Sequence, residues 1–431
     1  MKKSAFSVVI LLSFVILLVI ASFSLASCSG SVHINQPPSH ILERVFASQS
    51  ASTPTAAGGL VIIDGEYDTL GRGEISAGVS PGLMATDPER SVLLAFDSAT
   101  NRVDVVNTTT EKVTGTVQLP GPTISMVAPN AEVGYAAVPS APLYGAPNGG
   151  VVFMNLTSPS VTATISVPNA QTVVSNPAGT ELLVFSNDSD SVTVVFPLAL
   201  NLGTPLTATI PGFDRPVNAV FSTDGTTAYI LNCGAECGGT QASVQLMDMT
   251  TTPPTPGTLV PVDGATIAFL HNTNLWVAGN SPTNSACTGE TTAATTCGRL
   301  DTVDVSTMTV TGSITITDGY HDRIDFGLGG QLFIGSYACT NIGNVNNVQG
   351  EVRGCLSIYN AVNNTVVIPP DNGNVTGLQS FTTRYVEYVA EGGNLRVYST
   401  TSDSLLINSY IETGTIVITG VITDVKAVDF F

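Results

Sequence analysis

Seven cysteines and four histidines are spread along the 431 residues. The densest polar cluster is Asp318-Gly-Tyr320-His321-Asp322-Arg323. There His321 would titrate or ligate, Arg323 would clamp a carboxylate, and Tyr320 would stack on a sugar ring. The plainer reading is a solvated loop whose aspartates cap turns. Asp214, Arg215 and Asp263 occupy comparable polar junctions. A metal centre fits poorly. Cys233 and Cys237 have an unsuitable spacing for zinc, no Cys-X-X-Cys-His run exists for haem, and histidine is scarce. Asn187-Asp188-Ser189-Asp190 reads as a turn. Asp371-Asn372-Gly373-Asn374 has calcium-like oxygen spacing but no glutamate to close the loop. Nucleophile-elbow, Walker and dinucleotide glycine patterns are missing, so no catalytic residue, metal or other cofactor is assigned.

What must position these residues is a repeating pattern of strands. Short alternating apolar runs are separated by Gly, Asn, Asp and Pro turns, and no amphipathic helix is found. The period is roughly 40–55 residues, with four strands, a to d, per unit. Residues 216–232 read PVNAVFSTDGTTAYILN. They give strand a to Phe221, a tight Ser222-Thr223-Asp224-Gly225 turn, and strand b from Ala228. Asp-Gly suits the turn because Gly tolerates positive φ and Asp caps its own backbone. Residues 171–186 and 78–96 follow the same plan. Residues 102–120, RVDVVNTTTEKVTGTVQLP, supply strands c and d, and 302–316 repeat that half.

Strand, SPDG-like turn, strand and then this hairpin resemble the YVTN-type β-propeller repeat over about residues 78–420. The resemblance implies an all-β propeller of four-stranded blades, and it is specific for fold rather than function. The units run 78–122, 123–170, 171–215, 216–264, 265–322, 323–379 and 380–420. Residues 43–77 supply strands b, c and d without a strand a, and residues 421–431 supply one strand left over. Pairing the two ends would close the ring with ladder hydrogen bonds rather than by packing alone. The expected propeller is therefore eight-bladed, with seven blades as the alternative.

In this map six cysteines fall pairwise into the b–c connections of three consecutive blades. The expected disulfides are Cys233–Cys237, Cys287–Cys297 and Cys339–Cys355. Strands b and c lie about 5 Å apart, which suits a disulfide. In a propeller the d–a and b–c loops emerge on one face. That face would carry the stapled loops together with Asp214, Arg215, Asp263, Asp318, Tyr320, His321, Asp322 and Arg323, and it is the expected ligand face. His271 falls in an a–b turn on the other face, and Trp276 reads as core.

The seventh cysteine ends a different motif. Lys2 and Lys3 precede an apolar run from Ala5 to about Ala26, and Leu25-Ala26-Ser27-Cys28 follows. A basic start, an apolar middle and small residues at a cut site make a secretory signal. The last four residues resemble a bacterial lipobox. That resemblance implies diacylglycerol on the Cys28 thiol, cleavage before it, and acylation of the new amino group with palmitate-type chains. Several acyl chains anchor stably where one does not. Ser29 in place of Asp favours the outer membrane. The alternative is an uncleaved transmembrane anchor, since the run is nearly long enough to span a bilayer. Both place the remainder outside the cytoplasm. The expected domains are a signal peptide (1–27), a Pro37- and Pro38-containing tether with His33 and His40 (28–42), and the propeller (43–431).

The formal net charge of −19 repels nucleic acid and anionic headgroups. Nucleic acid is thereby excluded as a partner. The expected function is a lipid-anchored module of the cell envelope that binds protein or glycan through its loop face. The alternative is a propeller enzyme of lactonase or haem-d1-like type. Such a site needs carboxylates with Asn, or histidines, at the channel mouth.

Overall fold

The computed structural model describes residues 37–50, 58–197, 207–281, 297–339, 354–369, 373–402, 404–405 and 420–429. The signal, Cys28, His33, Cys287, Asp371 and Asn372 lie outside these residues.

The described chain forms eight antiparallel sheets of four strands each. Blade 1 is built from Arg44–Ser50, Gly59–Asp64 and Thr69–Ile75, with Val421–Ala427 as its innermost strand. The next blade comprises Pro81–Thr86, Val92–Asp97, Arg102–Asn107 and Lys112–Gln118. Blades 3 to 8 span residues 125–166, 170–211, 216–261, 267–316, 320–367 and 375–405. The chain is thus an eight-bladed β-propeller. Its ends share one sheet, with Val45 opposite Ala427 and Ser50 opposite Val421.

Strand alternation explains the packing. Successive side chains of a strand point to opposite faces. Leu93 and Ala95 therefore pack towards blade 1, while Leu94 and Phe96 pack towards blade 3. The same division runs round the ring, giving one apolar cluster at each blade interface. Trp276 belongs to the cluster between blades 6 and 7, stacked 5.3 Å from the Phe326 ring. Among the described residues, no helix is long and apolar enough to cross a membrane.

Two blade boundaries differ from the repeat count. Blade 7 opens at Tyr320 rather than Arg323, and blade 8 at Val375 rather than after Gln379. The innermost strands of these two blades, YHDRIDF and VTGLQS, carry polar residues and so lack the apolar alternation that marks the others. They are also bulged. The pairing of strand a with strand b skips one residue at Gln171, Val217, Asp322 and Thr376. A bulge bends its strand and re-aims a side chain.

The Cys233–Cys237 and Cys339–Cys355 disulfides are formed, each with Cα atoms 5.6 Å apart. They staple the b–c connections of blades 5 and 7. Cys297, in blade 6, is also disulfide-bonded, and its expected partner Cys287 lies outside the described residues.

Candidate functional site

Two adjoining cavities of about 400 and 520 Å³ open at the channel mouth on the d–a and b–c face. They share Ile124, Thr172, Val217, Tyr320 and Tyr337 in their walls. The bulged positions matter here, because Gln171, Val217 and Asp322 all line these cavities. In three of the four bulged blades the extra residue thus reaches the channel mouth.

The blade 7 wall is aromatic and charged. Tyr320 and Tyr337 lie opposite one another in the ladder, with ring centroids 5.3 Å apart. Burial, and then the nearby Glu236 carboxylate, push the Tyr320 hydroxyl well above its ordinary range. Asp322 pairs with Arg323 at 3.0 Å, and Arg323 Nε donates to the Thr376 carbonyl in blade 8. Burial raises the Asp322 carboxyl even though Arg323 opposes the shift.

The facing wall comes from blades 4 and 5. The b–c loop of blade 4 supplies Ser186, Asn187, Asp188 and Ser189, and the next d–a junction supplies Arg215. Arg215 approaches Asp188 at 3.8 Å and Asp190 at 3.7 Å. Its backbone φ of 55° lies in the left-handed region. At the equivalent place in blade 4 stands Asn169, a residue that adopts this conformation readily. An arginine there costs about 1–2 kcal/mol more than a glycine would.

Glu236 links three blades beneath this surface. It sits in the short helix Gly234–Cys237, inside the Cys233–Cys237 bridge. Its carboxylate accepts from the Asn280 backbone N–H at 2.9 Å and from Asn280 Nδ2 at 3.0 Å. Asn280 Nδ2 also donates to the Gly319 carbonyl at 2.8 Å, next to Tyr320. Burial pushes the Glu236 carboxyl up to about 7, against the bonds from Asn280 that favour its charge. Gly234 holds φ 61° here, and a Cβ at that position would meet the Gln241 backbone at 2.2 Å.

Four of the eight residues singled out for the ligand face line the cavities: Arg215, Tyr320, Asp322 and Arg323. His321 does not offer its ring to the mouth. It is 0% exposed within the blade, Nε2 donates to the Thr317 carbonyl at 2.9 Å, and burial drives its pKa down to about 4. The bulge is the physical reason, because the alternation turns His321 inwards while the extra residue, Asp322, faces the channel. Asp318 is buried too. Asp214 organises the stapled loop, accepting from the Thr240 and Gln241 backbone at 3.0 and 2.8 Å. Asp263 pairs with Arg299 at 2.9 Å. Glu236 and Tyr337 carried no site assignment in the sequence, and Asp188 and Asp190 read there as a turn. A glutamate bracketed by two cysteines in a b–c loop was the one signal available. Among the described residues, no three His, Cys, Asp or Glu side chains are grouped to hold a metal ion.

No protein-family model matches the chain, and no curated protein matches it. Solved structures do. Dihydro-heme d1 dehydrogenase NirN, solved in complex with DHE, is 12% identical with a TM-score of 0.57, covering 86% of this chain and 76% of its own. A functionally unknown protein from Desulfotomaculum acetoxidans is 12% identical with a TM-score of 0.50, covering 77% and 98%. The β-propeller domain of Cps50 (Swd1) from Myceliophteria thermophila is 9% identical with a TM-score of 0.50, covering 72% and 92%. Likeness at these identities shows the propeller fold and nothing finer.

Proposed function

We propose that this protein is a lipid-anchored β-propeller of the cell envelope that binds a glycan at its channel mouth, as a binding module rather than an enzyme. The observation that carries the reading is the mouth itself. A Tyr320–Tyr337 pair faces a wall of short hydroxyl and amide side chains across cavities of about 400 and 520 Å³. Aromatic faces with scattered donors and acceptors suit a sugar ring. The disulfides of blades 5 and 7 fit an exported, oxidising setting and stiffen loops of the same face.

The tether also suits this reading. Residues 37–40 join the propeller at the opposite face, where the Ser39 backbone N–H donates to Glu111 in a c–d turn at 2.8 Å. The mouth therefore lies on the face away from the tether's attachment. NirN was solved with DHE, but a haem-type site here would lack an imidazole at the mouth among the described residues. A lactonase-type metal site would lack its carboxylate group among them.

The anchor is tested by mass spectrometry of the mature amino-terminal peptide from native membranes. A peptide starting at a triacylated Cys28 is expected, and an amino terminus upstream of a free Cys28 thiol would refute the lipid reading. Binding is tested by calorimetric titration of the purified exported domain with oligosaccharides of equal length; at least one is expected to bind and to bind more weakly to Tyr337→Ala, which removes an aromatic side chain of the mouth, and binding by none would refute the glycan reading.

A further inference from the structure

Resting on the lipid-anchor reading, we infer that the turns of blades 7, 8 and 1 on the face away from the mouth form a shelf that lies against the bilayer holding the Cys28 lipid, with its side chains among neutral headgroups.

On this face the exposed apolar side chains are confined to one sector. Among the described residues they are Leu42, Tyr67, Leu328, Val362 and Tyr385, which are 64, 62, 43, 78 and 53% exposed. Leu42 leads into the first strand of blade 1, and Tyr67 sits in its c–d turn. Leu328 and Val362 occupy the a–b and c–d turns of blade 7, and Tyr385 the a–b turn of blade 8. The matching turns elsewhere are polar, as in Pro88-Glu89-Arg90 of blade 2 and Thr223-Asp224-Gly225 of blade 5. Apolar side chains scattered singly over a surface need no explanation, but a run of them marks a contact surface.

Backbone and side-chain contacts join these turns into one arc. In blade 7 the Ala361 N–H donates to the Gly330 carbonyl at 3.0 Å, which ties the Val362 turn to the Leu328 turn. Gly329 packs against the Thr400 carbonyl of blade 8, leaving no room for a Cβ, and the Thr400 N–H donates to the Tyr385 carbonyl at 2.9 Å. Arg384 then forks onto Asp68 of blade 1 at 2.8 and 2.7 Å. The Gly65 N–H donates to the Glu43 carbonyl at 2.6 Å, beside Leu42. The arc is thus fixed from blade 7 to the point where the tether enters, so little ordering remains to be done on contact.

The tether says what covers it. Residues 28–36 separate Cys28 from the described propeller, and at about 3.3–3.6 Å per residue they reach at most about 30 Å. A lipid on Cys28 therefore holds this end of the arc close to the headgroups. Tyrosine suits that depth, because its ring is apolar and its hydroxyl stays wet. The blade 7 turns, 327–330 and 361–364, carry no charged residue, and Arg384 is paired with Asp68. Glu66 is the exposed charge of these turns. Contact is driven by apolar burial, and anionic headgroups oppose it, because they meet Glu66 and a net charge of −19.

The test is hydroxyl-radical footprinting of the lipidated protein on phosphatidylcholine vesicles, read at single tyrosines by mass spectrometry. The same protein is read again after release by cutting a protease site placed within residues 29–36. Tyr144 is the internal reference, being fully exposed in the b–c connection of blade 3 on the opposite face. Tyr67 and Tyr385 are expected to oxidise several-fold more slowly on the vesicles than after release, with Tyr144 unchanged. Phosphatidylglycerol vesicles are expected to protect them less at low salt. Leu328→Asp with Val362→Asp is expected to raise both rates towards the released values, with Cys28 still acylated and the melting temperature near the parent's. Equal rates before and after release, or unchanged rates in that variant, overturn the shelf while an acylated Cys28 leaves the anchor standing. Protection that survives release points to a second copy of the chain and overturns the bilayer as the occupant. Stronger protection on phosphatidylglycerol overturns the preference for neutral headgroups. A Cys28 without acyl chains overturns both readings.

Discussion

Glu236 shares a corner with the Tyr320 and Tyr337 hydroxyls, and burial holds its carboxyl at about 7 against an ordinary 4.5. A raised folded pKa means that the folded state keeps its proton where the unfolded chain has lost it. The associated stability is fully present below pH 4.5 and drains away as pH rises through 7. Glu236→Gln removes the titration. Thermal melts of the two proteins are expected to respond to pH alike at pH 4, and the variant is expected to gain up to about 3 kcal/mol over the parent by pH 8. Parallel pH profiles would show that Glu236 is not buried as described. Little of this was legible beforehand. Arg215 meets Asp190 across 25 positions, and Glu236 meets Asn280 across 44, so only the ring brings them together. His321 looked like the site histidine because a one-residue bulge, which decides the direction of every side chain before it, leaves no mark in the sequence.

At the scale of elements, the innermost strands of blades 2, 4 and 5 were readable from the turn that follows them, whereas those of blades 7 and 8 were not. Strands such as Val92–Asp97 feed apolar side chains into two interfaces and show it in their composition. Tyr320–Phe326 lines the channel instead, and its polar first half reads as loop. The disulfides were legible because each occupies the same connection of its blade. The two described in full are not equivalent. Cys339 and Cys355 are 16 residues apart and close a loop whose ordering entropy is large. Cys339→Ser with Cys355→Ser is expected to lower the unfolding free energy by about 3 kcal/mol in denaturant titration. The Cys233–Cys237 bridge spans a separation of 4 and constrains far less of the unfolded chain. Its double serine variant is expected to lose less stability and more affinity at the mouth, because it frees the turn whose Cys237 lines the cavity. Equal stability losses for the two variants would argue against the loop-entropy account.

At the scale of the whole molecule, closure was readable from a mismatch in the count: three strands without an innermost one at the start, and one strand spare at the end. What the count could not supply was the ion lock beside it. Arg44 opens the first strand, and its Nε and Nη2 donate to Asp429 at 2.8 and 2.7 Å, just past the last strand. Its Nη1 donates to Glu111 of blade 2 at 3.1 Å. The guanidinium and the Glu111 carboxylate are both nearly inaccessible to solvent. Breaking a buried pair strands the other charge, which costs about 3–5 kcal/mol, whereas replacing both partners by neutral groups costs much less. Arg44→Met alone is therefore expected to destabilise the ring by that amount. Adding Glu111→Gln is expected to recover a large part of it. Arg72→Met is the control, because Arg72 is exposed on the outermost strand of blade 1; it is expected to stay within about 0.5 kcal/mol of the parent. Because each blade buries its faces only against its neighbours, loss at the seam is expected to lower one cooperative transition rather than split off blade 1. A second, lower transition in calorimetry of Arg44→Met would show instead that the seam unzips independently of the other seven interfaces.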